Sequence, residues 1–321
     1  MQLAFDLLAN ERMVPFSIGE IIDNSVTDFD LFIEVNKHHI LYCSEGYTWY
    51  RDELEGLLAA GHKEFLIREV DQNKVGMYRQ LSKLPTIEKN LKPAERIQSI
   101  EQIGLKFIEQ LYEGEITPAA VYKAESLADA MVNTIAEDPA CIRFLGQLAD
   151  RDYYTFVHSM RVATYSVAIA MKLGIKDQAH LNSIALGGIF HDIGKKDVPL
   201  DVLNKAGALT DAEWKKMKAH PEKGQEYLEG TTIPFVSQEI IIHHHERLDG
   251  SGYPHNLRKS DLIDEVQIAT ISDIFDALTS SRSYQNKRSR FEALDLIKHK
   301  LLGTHLASEP FRALVSCLTE D

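Results

Sequence analysis

Cysteine is scarce in this chain: Cys43, Cys141 and Cys317 are scattered through 321 residues, with no Cys-x-x-Cys spacing. That excludes a disulfide framework and points to a reducing compartment. Long hydrophobic runs are missing too, since none approaches the ~18–20 apolar residues needed to cross a bilayer. Met1 to Arg12 carries Asp6 and Glu11 where a signal peptide would start basic. The expected setting is therefore the cytoplasm. Positive charge is in deficit, with 35 Lys and Arg against 48 Asp and Glu, a formal charge of −13. Such a surface repels polyanions, so neither a nucleic-acid polymer nor an anionic membrane is an expected partner. A small anionic ligand stays compatible with it, because a metal site and a few local cations outweigh a distant field.

What is present has the length for two domains and a large core. Residues 1–90 read as a small α+β domain. Asp30–Val35, His39–Cys43 and Glu64–Val70 are β-rich runs, and a helical segment from Arg51 to Ala60 is stopped by Gly61. His38 and His39 lack acidic or histidine neighbours at ligand spacing and read as surface or turn residues. Pro85 and Pro93 bracket a charged connector. Residues 91–321 are then mainly α, with apolar residues at 3–4 spacing through Ile97–Tyr112, Ala119–Ala136, Cys141–Ala149 and Tyr154–Leu173. The expected fold is an all-α helical bundle preceded by the small α+β domain, and bundles build metal sites from facing helices.

The second region carries chemistry-bearing residues at several separated places. Phe190-His191-Asp192-Ile193-Gly194-Lys195 ends an apolar helix and delivers an imidazole, a carboxylate and an ammonium within five positions. A carboxylate has two oxygens and can bridge two ions, and Lys195 lies one turn beyond His191, placed for an anionic group. Taken alone, the His-Asp pair is equally a hydrogen-bonded helix end. His158 is either a core histidine or a ligand. Asp273 and Asp276 lie on a largely apolar helix, where a carboxylate is costly unless paired or metal-bound. His220 precedes Pro221, after a helix opened by the Thr210-x-x-Glu213 capping box. His243-His244-His245 cannot all face one way at ~100° per residue. We take His244 and His245 as the converging pair, with His243 looking elsewhere. The Asp249-Gly-Ser-Gly-Tyr253-Pro254 loop that follows brings glycines suited to close approach and an aromatic ring.

In this order the motifs resemble the HD-GYP proteins, a branch of the HD metal-dependent phosphohydrolases. The matching residues are Tyr154-Thr155-x-x-His158-Ser159; His191-Asp192-x-Gly194-Lys195; His220-Pro221 with Gly224; His244-His245-Glu246-x-x-Asp249-Gly250-x-Gly252-Tyr253-Pro254; and Asp273-x-x-Asp276-Ala277-Leu278-Thr279 with Arg282 and Tyr284. The resemblance spans roughly 120–321. It implies an HD-type helical bundle that hydrolyses cyclic di-GMP at its 3',5'-phosphodiester, using a metal-bridging hydroxide. His158, His191, Asp192 and Asp273 would hold one transition-metal ion. Asp192 would bridge to a second, held by His220, His244 and His245, with iron first and manganese the alternative. Three-metal relatives carry a glutamate where Tyr154 stands, so two ions are expected. Gln285 replaces a basic residue common in the family.

The resemblance further assigns catalysis to Asp192 and Lys195 and substrate contacts to Lys195, Tyr253 and Arg282. It leaves Glu246, Asp249 and Asp276 as support. Cyclic di-GMP is the expected partner, and residues 1–90 would serve regulation or protein partners. The rival readings are an HD hydrolase of another nucleotide phosphoester, and a catalytically weak or inactive cyclic di-GMP-binding or partner-docking module. No Ser-His-Asp or Cys-His nucleophile is visible.

Overall fold

The structure is a computed structural model and describes residues 11–84, 91–145, 154–280 and 288–319, with the side chains of 154 and 155 left aside. The chain divides into two compact units. One comprises Met1–Leu84 with Thr117–Lys123, and the other Pro85–Ile116 with Ala124–Asp321.

The first unit is built on an antiparallel sheet of β1 (Met13–Ser17), β6 (Glu64–Arg68), β3 (Leu31–Val35) and β4 (His38–Cys43), in that spatial order. A two-stranded ribbon pairs β2 (Val26–Thr27) with β5 (Tyr47–Thr48). Helices α1 (Arg51–Ala59) and α2 (Gln72–Leu81) complete it. Phe16, Phe29, Leu31, Trp49, Phe65, Ile67 and Tyr78 form its core. Strand β1 did not announce itself in the sequence. Pro15 interrupts the run, and the strand is tolerated at a sheet edge, where a missing N–H costs least.

Among the described residues, the second unit is built from helices, with no strand longer than an isolated bridge. Helix α3 (Pro93–Glu113) opens on Pro93, which has no N–H to leave unsatisfied in a first turn. Helix α4 (Pro118–Glu137) begins in the first unit and continues in the second. The helix expected over Cys141–Ala149 is instead a 3-10 turn over Pro139–Phe144. Asp138 caps the turn by accepting from the Ala140 N–H, and it ends where Leu145 becomes extended; residues 146–149 lie outside the described residues. Helices α5 (Tyr154–Lys172) and α6 (Gln178–Phe190) pack on each other at the centre. Short α7 (Leu200–Leu203), α8 (Asp211–Lys218) and α9 (His220–Tyr227) follow, then α10 (Phe235–His243) and α11 (Asp264–Thr279), and finally α12 (Arg290–Lys300) and α13 (Ser308–Thr319). Helix α5 also packs against α3, α11 and α13, while α6 packs against α10.

From Leu181 to Phe190 nearly every residue of α6 is buried, and α11 is buried from Val266 to Asp273. A helix that is apolar all round belongs in the middle of a fold. The consequence is that polar side chains on or at the ends of these helices are forced into the interior. Among the described residues, no helix is long and apolar enough to cross a membrane.

Candidate metal centre

Four of the candidate ligands sit at helix ends, where backbone carbonyls lack intrahelical partners. His191 caps the C-terminus of α6, and its Nδ1 lies 2.8 Å from the Gly188 carbonyl. His220 opens α9, with Nδ1 2.8 Å from the Met217 carbonyl. His244 caps α10, with Nδ1 3.0 Å from the Ile241 carbonyl, and His245 follows it. A carbonyl only accepts, so in His191, His220 and His244 Nδ1 carries the proton and Nε2 presents a lone pair. His158 on α5 is oriented differently: its Nδ1 donates to the Asp276 carboxylate at 2.8 Å.

These lone pairs converge in two adjoining groups, one of His158, His191 and Asp273, the other of Asp192, His220, His244 and His245. Within each group the donor atoms lie within 4.8 Å of one another. Asp192 faces both. Its Oδ2 is 3.7 Å from His158 Nε2 and 3.4 Å from His191 Nε2, while its Oδ1 is 3.3 Å from His220 Nε2 and 3.9 Å from His244 Nε2. Asp273 places Oδ1 3.1 Å from His158 Nε2 and Oδ2 3.9 Å from His245 Nδ1.

The donor set fits a cation on physical grounds. His220 Nε2 and His244 Nε2 face each other at 3.2 Å, although both rings carry their proton on the other nitrogen. Two opposed lone pairs repel unless a positive centre lies between them. The spacing suits two nitrogens each ~2.0–2.1 Å from one ion. His191 Nε2 and Asp192 Oδ1 are buried with no hydrogen-bond partner, an arrangement that costs free energy unless something else binds there.

Burial disfavours the charged imidazole in both groups, but His158 and the histidines of the second group end on opposite sides of the ordinary value. In the second group burial drives His220 down to about 4 and holds His244 and His245 well below the usual imidazole range. His158 is just as buried, but hydrogen bonds to Asp273 and Asp276 outweigh the burial and lift it to about 9. Burial opposes the charge on Asp192 as well. The neighbouring His191 and Lys195 overcome it and hold the carboxyl well below its ordinary value.

The remaining predicted residues take distinct places. Lys195 Nζ lies 2.5 Å from Asp192 Oδ2, so in this structure the ammonium meets the candidate bridging carboxylate. Tyr253 stacks on His245, with ring centroids 4.7 Å apart at 28°. Asp276 supports His158 and also accepts from Ser280 Oγ at 3.0 Å. Glu246 and Asp249 brace the loop. Fully buried Glu246 accepts from the N–H groups of His255 at 2.6 Å and Leu257 at 3.1 Å, and Asp249 accepts from Ser251 Oγ at 2.7 Å. His243 turns away from the centre toward His255, 3.1 Å between ring nitrogens. Arg282, Tyr284 and Gln285 lie outside the described residues.

One contributor escaped the motif reading. Arg161 is buried on α5 one turn after His158, with Nη1 3.8 Å from Asp276 Oδ1. A lone cation in the apolar stretch Val157–Ala170 was the available signal. Gly194 lets α9 approach, because a Cβ there would overlap the His220 carbonyl.

A helical unit that gathers five imidazoles and two carboxylates into two adjoining groups has the make-up of a metal-binding protein. The HD-domain family model matches residues 144–305, half of the chain, and the chain belongs to that family. It is 32% identical over 196 residues to the cyclic di-GMP phosphodiesterase PA4108 of Pseudomonas aeruginosa, covering 61% of this chain and 47% of the relative. It is 33% identical over 165 residues to the 3'3'-cGAMP-specific phosphodiesterase 1 of Vibrio cholerae, covering 51% and 38%. The chain thus spans less than half the length of either relative. Bd1817, an HDG"Y"P protein of Bdellovibrio bacteriovorus, shares the fold. Its TM-score is 0.65 at 20% identity, over 96% of this chain and 99% of that one.

Proposed function

We propose that the chain hydrolyses a 3',5'-phosphodiester of cyclic di-GMP in the cytoplasm at a two-metal centre. His158, His191, Asp192 and Asp273 would hold one ion, with Asp192 shared by a second on His220, His244 and His245. The observation that carries this reading is Asp192, which offers one oxygen to each group of imidazoles. The imidazole-rich set favours a first-row transition metal over calcium, with iron first and manganese second. Bound there, such ions supply Lewis acidity at the phosphate and an activated water near neutral pH.

The chain's own groups do the rest. Asp276 holds the His158 ring by its Nδ1 proton and so aims Nε2 inward. Lys195, tied to Asp192, stands at the rim of the centre with 17% of its side chain exposed. With Asp192 engaged as a metal ligand, the Lys195 ammonium would be free to meet a non-bridging phosphate oxygen. Tyr253 offers a ring face beside His245 on which a base can rest. Arg282 would take the second phosphate or a guanine edge. Residues 1–90 would receive a regulatory signal or a protein partner.

The relative that cleaves 3'3'-cGAMP motivates a second reading, in which one guanylate is replaced by adenylate. Metal analysis of anaerobically purified protein, coupled to turnover of both cyclic dinucleotides, separates them. The expected result is about two ions per chain and faster turnover of cyclic di-GMP. Faster turnover of 3'3'-cGAMP would select the second reading. Tight binding by metal-replete protein without turnover would make the chain a sensor.

A further inference from the structure

Helix α3 (Pro93–Glu113) lies wholly outside the residues matched by the HD-domain family model. It nonetheless reaches the metal centre at two points. In its last turn, Tyr112 donates its hydroxyl proton to the main-chain carbonyl of Asp192 at 2.8 Å. Its ring lies against Phe156, centroids 5.1 Å apart, two residues before His158. Lys196 ties the same turn down, its Nζ donating to the Leu111 carbonyl at 2.8 Å and to that of Gly114. The segment that carries Asp192 and Lys196 is therefore fastened to the end of α3 through both residues.

The second point is three turns earlier. Arg161 Nε donates to Glu101 Oε1 at 2.8 Å, and Arg161 Nη1 donates to Ser280 Oγ at 3.1 Å while lying 3.8 Å from Asp276 Oδ1. Glu101 and Arg161 are both buried. A buried guanidinium shared between two carboxylates presses less on either one. Without the Glu101 charge, Arg161 would fall to Asp276 alone and compete with the His158 Nδ1 proton for that carboxylate.

Asp192 sits at φ −101° and ψ 4°, between α6 and a 3-10 turn over Ile193–Asp197, and its carbonyl accepts both the Lys195 N–H at 2.9 Å and the Tyr112 hydroxyl at 2.8 Å. Its usefulness depends on sending one oxygen to each group, so the direction of its backbone matters. Burial, together with the Asp192 charge, keeps the Tyr112 phenol protonated and hence a donor.

We propose that α3 forms a wall of the metal centre, with Tyr112 positioning Asp192 and Glu101 positioning His158 through Arg161 and Asp276. The inference rests on the two-metal reading above. It is tested on the full chain with Tyr112→Phe and Glu101→Gln, reading Mn²⁺ affinity by chelator competition, the visible spectrum of the Co²⁺-loaded protein, and the melting temperature of the metal-free protein.

Partners of this kind are worth about 10–100-fold in metal affinity. Tyr112→Phe should bind Mn²⁺ about tenfold more weakly and change the Co²⁺ spectrum. Glu101→Gln should weaken one of the two ions, with Glu101→Asp restoring part of the loss. Wild-type Mn²⁺ affinity and Co²⁺ spectra in both variants would overturn the proposal, and so would a loss of affinity that merely follows a lowered metal-free melting temperature. Wild-type protein that takes up no metal would overturn this inference and the two-metal reading together. Metal uptake without nucleotide turnover would overturn only the hydrolytic function.

Discussion

The two halves of the candidate metal centre are built from the same residue types, yet His158 of the first and the imidazoles of the second are pushed in opposite directions. In the first, His158 lies between two carboxylates, 3.1 Å from Asp273 and 2.8 Å from Asp276, and is lifted to about 9. In the second, the rings of His220 and His244 are held by main-chain carbonyls, and burial drives them toward the neutral form. A carbonyl orients an imidazole without stabilising its charge as a carboxylate does. The support behind the ring thus decides whether a proton or a free lone pair waits for the metal.

Asp192 is what joins the halves, and Asp192→Asn should have the largest effect. The amide keeps the shape and removes the charge shared by both groups. We expect metal affinity at both positions, and turnover of cyclic di-GMP with it, to fall by more than about 100-fold. Loss of one ion alone, measured by elemental analysis, would show that the groups are independent and that the carboxylate does not link them.

The halves should also part on a pH axis. His158 is raised above the ordinary imidazole value of 6.5, so its contribution to the stability of the metal-free protein is fully present below 6.5. That contribution is lost as the pH rises through about 9. His220 is lowered to about 4, so its contribution is present above 6.5 and is lost as the pH falls toward 4. At pH 7, loading the first group must expel the proton on His158, while loading the second expels none from His220. Calorimetric titration in buffers of different ionisation enthalpy reads this directly. About one proton released with one ion and almost none with the other is expected; equal release would erase the contrast.

Much of this centre was legible in the chain because the chemistry is expensive where it sits. Five imidazoles and two acids placed in or beside apolar helices need a reason to be there, and His191, Asp192, His244 and His245 fall at helix stops that the sequence marks. The outward turn of His243 follows from helical geometry. The long-range supports were not legible. Tyr112 meets a carbonyl eighty residues away, and a hydroxyl that bonds a backbone oxygen leaves no motif behind it. The same holds for Glu101, which reads as an ordinary acid of an amphipathic helix until Arg161 is seen beside it. In the first unit, β1 was hidden by its proline and revealed only by its pairing with β6.

A change in the loop around Gly252 should have the mildest effect and act mainly on the second half. Tyr253 reaches His245 alone among the candidate ligands in ring contact, and Glu246 holds the loop by two backbone N–H groups. A Cβ at position 252 would overlap the Cα of Glu246 and the amide nitrogen of Arg247, which are backbone atoms that no rotamer change moves aside. Gly252→Ala must therefore shift the loop, at a cost of about 1–3 kcal/mol in denaturant unfolding. The Tyr253 stack on His245 should loosen with it. The ion on His220, His244 and His245 would bind a few-fold more weakly, by the lower end of the ~10-fold typical of lost ligand support, while the ion on His158 and His191 keeps its affinity. Equal weakening of both ions in chelator competition would mean that strain at the loop passes through Asp192 to the whole centre, so that the two halves move as one.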